Sequence, residues 1–208
     1  MQKKGKFIVF EGIDGSGKST QIKMLGEAFK KRGIAFCETL EPTFGIAGEV
    51  LHDILSGKKT ADPKVTAALF AADRLDHLTN PKNGVCKTLD EGTCVICDRY
   101  YFSSYAYQSV EVPKEWVVSA NSLAAEILRP DCTIFIDVEP RVAMERISQN
   151  RENIEIYESL ERLTAVRCAY MEAFSSMKDV ENVKIFNGNK MPEEIALEIE
   201  EFVFGELL

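Results

Sequence analysis

The sequence predicts an α/β fold in which helices cover both faces of a central parallel sheet of five strands. Short apolar runs alternate with longer segments of helical periodicity along the chain, as in successive βαβ units. Right-handed crossovers between such strands place the intervening helices against the sheet. Because no repeat, low-complexity tract or linker interrupts this alternation, residues 1–208 are expected to form a single domain.

The predicted strands are short and rich in apolar and β-branched residues. They cover residues 6–10, 34–40, 93–97, 132–137 and 183–186. Helical spacing predicts a helix from Ser19 to Lys31, which ends before Gly33. Another helix is expected to begin at Asp62-Pro63, where an N-cap residue precedes a proline at the first helical position. Two further helical patterns extend over residues 155–177 and 192–204.

Charge and cysteine content limit the classes of partner and compartment. The net charge of −8 argues against a nucleic-acid groove or an anionic membrane surface as the main partner. No apolar leader and no bilayer-spanning stretch is recognised, so a cytoplasmic protein is expected. Among the six cysteines, Cys94 and Cys97 have CxxC spacing, but no second pair accompanies them. We therefore expect buried free thiols in a reducing compartment and no zinc.

The clearest motif is GIDGSGKS at residues 12–19, which matches GxxxxGK[ST] between a predicted strand and a predicted helix. Glycines let backbone N–H groups surround phosphate oxygens, and the helix N-terminus adds partial positive charge. Lys18 is expected to reach the β- and γ-phosphates of a nucleoside triphosphate, and Ser19 to ligate Mg²⁺. The predicted phosphate-binding residues are Gly12, Asp14, Gly15, Ser16, Gly17, Lys18, Ser19 and Thr20.

This P-loop motif indicates binding of a nucleoside triphosphate but does not identify a reaction. A GTPase would need an Asn-Lys-x-Asp guanine motif, whereas Asn189-Lys190 is followed by Met191-Pro192. A motor protein or large ATPase would need a longer chain. A small nucleotide or metabolite kinase with the P-loop NTPase fold fits the length of 208 residues best.

A second polar site is predicted where the strand at 93–97 runs into Asp98-Arg99. Ligands of open parallel sheets gather at the carboxyl ends of the strands. Asp98 is suited to support Mg²⁺ or its waters, and Arg99 to hold a phosphate through paired hydrogen bonds. A simple ion pair at the strand end is the alternative, and the adjacent P-loop favours a binding site.

Together these motifs closely resemble the thymidylate kinase family of P-loop nucleoside monophosphate kinases. The likeness extends from the first strand to at least Tyr170 and so covers most of the chain. The segments that carry it are FEGIDGSGKST at 10–20, FAADRLDH at 70–77, DRYYFSSYAYQ at 98–108, TIFIDV at 133–138, AMERI at 143–147, YESL at 157–160 and VRCAY at 166–170.

The resemblance implies Mg²⁺-dependent transfer of the γ-phosphate of ATP to dTMP. Phe70 would stack on thymine, and Arg74 would hydrogen-bond the edge of the base. Arg99 would hold the acceptor phosphate, and Asp14 would face the deoxyribose 3′-hydroxyl. The other implied substrate-binding residues are Tyr107, which would crowd the 2′ position, Ser104 and Gln108, which would complete the base pocket, and Glu41.

A polar segment at residues 149–154 separates two helical patterns and fits either a surface loop or a mobile lid. In the resembled family a catalytic arginine comes from the P-loop or from the lid. Since the P-loop position is Gly15, Arg151 is expected to supply it from a lid at about 147–156, and Arg146 to pack on adenine. The expected catalytic residues are Lys18, Arg99, Arg151 and Asp14. Family members commonly form homodimers through helices, so a homodimer is expected.

The chain departs from the family pattern at two positions. Leu40 stands where many bacterial members have arginine, and His52 stands where many relatives have arginine. Two alternatives to dTMP phosphorylation therefore stay open. One is a kinase for another pyrimidine monophosphate, such as dUMP or UMP. The other is a catalytically silent nucleotide-binding protein with a regulatory role.

Overall fold

A computed structural model describes residues 4–150 and 159–208 of the protein. Its strands are β1 (Phe7–Glu11), β2 (Phe36–Leu40), β3 (Cys94–Asp98), β4 (Cys132–Asp137) and β5 (Val183–Asn187). The helices are α1 (Lys18–Lys31), α2 (Ile46–Leu55), α3 (Pro63–Thr79), α4 (Val85–Asp90), α5 (Tyr101–Tyr107), α6 (Lys114–Ile127), α7 (Pro140–Asn150), α8 (Leu160–Met177) and α9 (Pro192–Phe202).

The five strands form one sheet in the order β2-β3-β1-β4-β5, and every neighbouring pair is parallel. The register pairs Phe10 of β1 with Asp98 of β3 and with Ile134 of β4. All strands therefore end at the same edge of the sheet, and the loops that follow them meet there. The expected parallel sheet is confirmed.

Alternate side chains of the central strands enter two separate hydrophobic clusters, one on each face of the sheet. Phe7 and Val9 point toward the larger cluster, which α3 to α8 cover. Ile8 and Phe10 point toward the other cluster, which α1 and α9 cover. Burial on both faces explains why the central strands are continuous apolar runs. The expectation that helices flank both faces is also confirmed.

Local signals set most helix boundaries as expected. The Asp62 carboxylate accepts a hydrogen bond from the Lys64 backbone N–H, which caps α3 before Pro63. Gly33 has φ 67°, a left-handed conformation that favours glycine after α1. Helix α9 ends earlier than expected, because the backbone loosens into a π-helical turn over Val203–Leu207. The part of the helical pattern from 155 to 158 lies outside the described residues.

The cysteine prediction is partly wrong. All six cysteines are free, and Cys94, Cys97 and Cys132 are buried as expected. Cys37 and Cys86 are only half-buried, and Cys168 is exposed because it lies on the outward side of α8 between the buried residues Val166 and Tyr170. Within residues 4–150 and 159–208, no helix combines the length and apolar character needed to cross a membrane.

Candidate active site

The P-loop leaves β1 and wraps around the N-terminus of α1. Close approach of other backbone segments explains two of its glycines: a Cβ at Gly12 would lie 2.9 Å from the Ile136 carbonyl oxygen, and one at Gly15 would lie 2.5 Å from the Ala143 carbonyl oxygen. Gly12 and Gly15 also have positive φ angles of 152° and 76°. The loop is therefore pressed against α7, and the backbone at Gly15 leaves no room for a side chain.

Lys18 lies along the inside of this loop. Its Nζ donates hydrogen bonds to the carbonyl oxygens of Gly12 and Ile13, at 3.1 and 3.3 Å. Burial and the positive charge of Arg99 lower the pKa of Lys18, whereas the charges of Asp98 and Asp14 act in the opposite direction. An anion beside Nζ would stabilise the protonated form of Lys18, which burial disfavours. A triphosphate would supply such an anion.

A cavity of about 760 Å³ is lined on one side by the P-loop, and it is termed the donor cavity because the P-loop is expected to hold the phosphates of the donor. The rest of its wall includes Asp98 and Arg99 at the end of β3, Arg146 on α7 and the loop between β5 and α9. Arg146 Nη1 and Nη2 donate to the carbonyl oxygens of Ser16 and Gly188, at 3.4 and 3.0 Å, which joins the two sides of the cavity. The non-P-loop lining residues include Gln21, Asn189, Lys190, Met191, Pro192 and Ile195.

The predicted metal ligands lie together at the N-terminus of α1. Ser19 Oγ and Asp98 Oδ2 are 3.4 Å apart, and both residues line the donor cavity. Asp98 Oδ1 is buried and has no hydrogen-bond partner among the described residues. One hydroxyl and one carboxylate beside a phosphate cradle suit Mg²⁺, which keeps several waters and few protein ligands. The residues present therefore fit the ion.

An acceptor cavity of about 500 Å³ lies on the other side of Arg99. Its lining includes Phe70, Tyr107 and Gln108, three of the residues expected to bind the substrate. Asp14 and Arg99 line both this cavity and the donor cavity. The remaining lining residues are Pro42, Phe44, His52, Asp53, Leu55, Ser56, Lys58 and Ser103.

Arg99 has φ 73°, an uncommon left-handed conformation for a residue with a side chain. Its Nη2 hydrogen-bonds the Asp14 carboxylate and lies 3.4 Å from the Tyr107 hydroxyl. Its Nη1 donates to Ser103 Oγ at 3.1 Å and to the Gly12 carbonyl oxygen at 3.3 Å. These contacts hold the guanidinium between the two cavities, where it can meet a phosphate in either one.

The acidic and phenolic partners of Arg99 are themselves paired. The Tyr107 hydroxyl donates to Asp14 Oδ2 at 2.9 Å and accepts from the Asp14 backbone N–H at 3.0 Å. Burial is the main reason that the pKa of Tyr107 is raised, so its hydroxyl stays protonated and can donate.

Arg74 lies deeper than its predicted role at the base edge would suggest. It is 1% exposed, and its Nε and Nη2 contact Glu41 at 2.8 and 2.7 Å. Its Nη1 donates to Ser104 Oγ at 3.0 Å and also to Asn121. Across the described chain, the acceptor cavity lining does not include Arg74, Glu41 or Ser104. These three residues form a buried polar cluster behind the lining.

The departure noted at His52 falls directly in the acceptor cavity. The imidazole stacks on Phe44 with ring centroids 4.8 Å apart, and Nε2 lies 3.1 Å from the Thr43 carbonyl oxygen. Leu40, the other departure, lies at the end of β2 and is 40% exposed. Lys58 adds a cation to the same cavity, although no motif indicated it.

Sequence reasoning missed several residues of the site. The loop at 188–192 follows the carboxyl end of β5, so the rule that singled out Asp98 could have indicated it. Glu11, Ser103 and Tyr170 lie within the segments that resemble the family, but the resemblance assigns them no role. Arg151, the expected lid arginine, lies outside the described residues.

Comparison with known proteins agrees with this geometry. The family model described as "Thymidylate kinase" matches residues 10–199 of the chain. The chain belongs to the thymidylate kinase family. The match begins in β1, ahead of the P-loop, and ends within α9, so it covers every element that lines the two cavities.

Individual relatives give the same result over nearly full length. A thymidylate kinase of Leptospira borgpetersenii is 36% identical over 92% of this chain and 90% of its own. A probable thymidylate kinase of Pyrococcus horikoshii is 35% identical over 99% of this chain and 98% of its own. One from Methanocaldococcus jannaschii is 41% identical over 80% of each chain. The resemblance expected from the motifs is confirmed.

Proposed function

We propose that the protein transfers the γ-phosphate of ATP to dTMP and forms ADP and dTDP. The observation that carries the proposal is that Asp14 and Arg99 line both cavities. Two nucleotides that enter from opposite sides would bring their phosphates together at this pair. The names of the relatives supply the acceptor, since they are called thymidylate kinases.

On the donor side, the P-loop N–H groups and Lys18 would hold the β- and γ-phosphates of ATP. Ser19 and Asp98 would hold Mg²⁺ and its waters, and the ion would neutralise charge on the transferring phosphoryl group. Arg146 would pack on adenine from its position between the P-loop and Gly188. Arg151 is proposed as the lid arginine, because Gly15 carries no side chain.

On the acceptor side, Arg99 would hold the phosphate of dTMP. Phe70 would stack on thymine, while Tyr107 would crowd the ribose 2′ position and Gln108 would bind the base. Arg74 has five N–H groups, and Glu41, Ser104 and Asn121 occupy four of them. Because Arg74 lies behind the cavity lining, it would reach the base edge only through this remaining Nη2 hydrogen, with Glu41 and Ser104 fixing its position.

We propose in addition that two copies associate through α3 and α6. These helices pack side by side, and α6 leaves Trp116, Leu123 and Ile127 at least 38% exposed. Their spacing places them on one helical stripe. Val65 of α3 is 51% exposed as well. An apolar surface of this kind is typical of an interface between subunits. The six free thiols support a reducing compartment, and we propose the cytoplasm.

The deciding experiment is a coupled assay of ADP release with Mg-ATP. The acceptors dTMP, dUMP, UMP, dCMP and AMP are offered separately at equal concentration, and Lys18→Ala serves as the inactive control. Turnover with dTMP well above that with UMP supports the proposed acceptor and the exclusion of ribose. Preference for dUMP or UMP would still show a kinase, but one with a different acceptor. Leu40 and His52 would then be the residues that account for the difference. No turnover with all five acceptors would favour a nucleotide-binding regulatory protein.

A further inference from the structure

Glu11 is a buried carboxylate that the transfer step just described does not use. It is the last residue of β1 and its side chain lies behind the turn that carries Arg99. Oε1 accepts hydrogen bonds from the backbone N–H groups of Tyr100 and Ser103, at 2.8 and 3.1 Å. Oε2 accepts from Ser103 Oγ and the Tyr170 hydroxyl, at 2.6 and 2.8 Å.

The directions of these hydrogen bonds follow from the chemistry of the groups. Each neighbour of Glu11 can donate, so an ionised carboxylate satisfies all four at once. The hydroxyl protons of Ser103 and Tyr170 then point at Glu11, and their oxygen lone pairs face Arg99. Arg99 Nη1 contacts both of these oxygens, at 3.1 and 3.5 Å, in addition to the Gly12 carbonyl oxygen at 3.3 Å. Two hydroxyls thus connect the buried negative charge to the guanidinium.

The backbone contacts of Glu11 act on the same residue. Arg99 adopts φ 73°, a left-handed conformation that is unfavourable for a residue with a Cβ. The Arg99 N–H is fixed by the Phe10 carbonyl oxygen at 2.9 Å, and Glu11 fixes the N–H of the next residue, Tyr100. Consecutive N–H groups of the turn are therefore bound to the end of β1. An unfavourable backbone conformation of this kind persists where several surrounding contacts hold it in place.

We propose that Glu11 is the positioning residue for Arg99. Its carboxylate holds the turn after β3 and directs the Ser103 and Tyr170 oxygens at the guanidinium, which sets where the acceptor phosphate is received. The inference rests on the proposed function, because it concerns the residue that would hold the phosphate of dTMP.

Two variants test it by steady-state kinetics with each substrate varied in turn. Glu11→Gln keeps the shape but presents an NH₂ group to Ser103 and Tyr170, whose hydroxyls must then turn toward Arg99. Tyr170→Phe removes one connecting hydroxyl and keeps the ring, and it decides the question if Glu11→Gln does not fold. Each is expected to raise the KM for dTMP about tenfold, the usual effect of losing a hydrogen bond to a charged group. The KM for ATP should change less than about twofold, because the P-loop contacts remain.

The chain offers matched controls away from the site. Glu181 is also a largely buried carboxylate, and it accepts from the Tyr101 hydroxyl at 2.8 Å and pairs with Arg129 at 2.9 Å. Glu181→Gln and Tyr101→Phe therefore make the same chemical changes in a comparable cluster. Both should leave the KM for dTMP unchanged, even if they lower Tm. Equal increases in the KM for both substrates in Glu11→Gln would show a general structural role and overturn the inference.

Arg99→Lys, measured in parallel, separates the two possible failures. If Arg99→Lys raises the KM for dTMP but Glu11→Gln and Tyr170→Phe do not, the positioning inference alone is wrong. If Arg99→Lys leaves the KM for dTMP unchanged, the proposed phosphate-binding role of Arg99 fails. If the wild-type protein prefers another monophosphate, the proposed acceptor fails and the same comparison is made with that monophosphate.

Discussion

Arg99 hydrogen-bonds the carboxylate of Asp14 at the place where the donor and acceptor cavities meet. The pair joins the P-loop to the turn after β3, two segments separated by 85 residues in the chain. Without a nucleotide, Asp14 neutralises the guanidinium. An acceptor phosphate would offer Arg99 a second anionic partner on the open side of the same group.

Arg99→Lys is expected to lower kcat/KM for dTMP by roughly 10²-fold. Lysine keeps the positive charge but has no planar group that can bond Asp14, Ser103 and a phosphate together. The measurement is initial velocity against dTMP concentration at saturating Mg-ATP. Arg32→Lys is the matched control, because Arg32 pairs with Glu200 at 3.3 Å away from both cavities. Activity within twofold of wild type for Arg99→Lys would contradict the assignment.

Tyr107→Leu is expected to raise the kcat/KM for UMP relative to dTMP. The ring of Tyr107 lines the acceptor cavity, and a smaller side chain leaves space for a ribose 2′-hydroxyl. Tyr107→Phe is the companion variant, since it keeps the ring and removes only the hydroxyl that contacts Asp14 and Arg99. It should lower overall activity while the UMP-to-dTMP ratio stays near the wild-type value. Similar ratios in both variants would place the discrimination of ribose elsewhere.

Local sequence patterns were sufficient to predict the sheet, the P-loop and the Asp98-Arg99 pair. The strands could be predicted because burial on both faces requires continuous apolar runs, and the ends shifted by no more than two residues. The P-loop and Asp98-Arg99 could be predicted because backbone geometry and strand ends localise them. Each of these signals is contained within about ten consecutive residues.

The rest of the site depends on packing between segments that are distant in the sequence. Glu11 meets Tyr170 across 159 residues, and no local pattern indicates that a glutamate at the end of a strand will be fully buried. Arg74 was expected at the base because its helix resembles that of the family. Its depth is decided by Glu41 and Asn121, which come from other elements. Such clusters become visible only once the fold has brought the segments together.

Asp98→Asn is expected to raise the Mg²⁺ concentration needed for half-maximal activity and to lower kcat. The carboxylate lies 3.4 Å from Ser19 Oγ, and an amide is a poorer partner for a hard cation or its waters. The measurement is a Mg²⁺ titration at fixed ATP and dTMP. Asp131→Asn is the control, since Asp131 contacts Lys6 at the opposite end of the sheet. An unchanged Mg²⁺ dependence would exclude Asp98 from the metal site.

Arg74→Leu is expected to destabilise the fold by about 3–5 kcal/mol, because it leaves a buried carboxylate without its main partner. Glu41 is 4% exposed, and besides Arg74 it contacts His77 Nδ1 at 3.0 Å. The double variant Glu41→Leu/Arg74→Leu should recover part of the loss, since neither charge is then buried alone. Urea denaturation without nucleotide gives both values. A single-variant loss below about 1 kcal/mol would show that the pair is dispensable for stability.

The charge on Glu11 should be visible in the pH dependence of stability. Burial raises the pKa of Glu11 above its ordinary 4.5, although the Ser103 hydrogen bond and the charge of Arg99 lower it. Between 4.5 and that raised value the folded protein binds more protons than the unfolded chain, so the contribution of Glu11 to the unfolding free energy falls as the pH rises. Glu11→Gln has no proton to lose, so the unfolding free energy of wild type minus that of the variant should decline across this interval.

Urea denaturation of both proteins from about pH 4.5 upward gives the difference directly. A difference that increased with pH would mean that the folded protein favours the ionised carboxylate more than water does, and that its four hydrogen bonds outweigh the cost of burial.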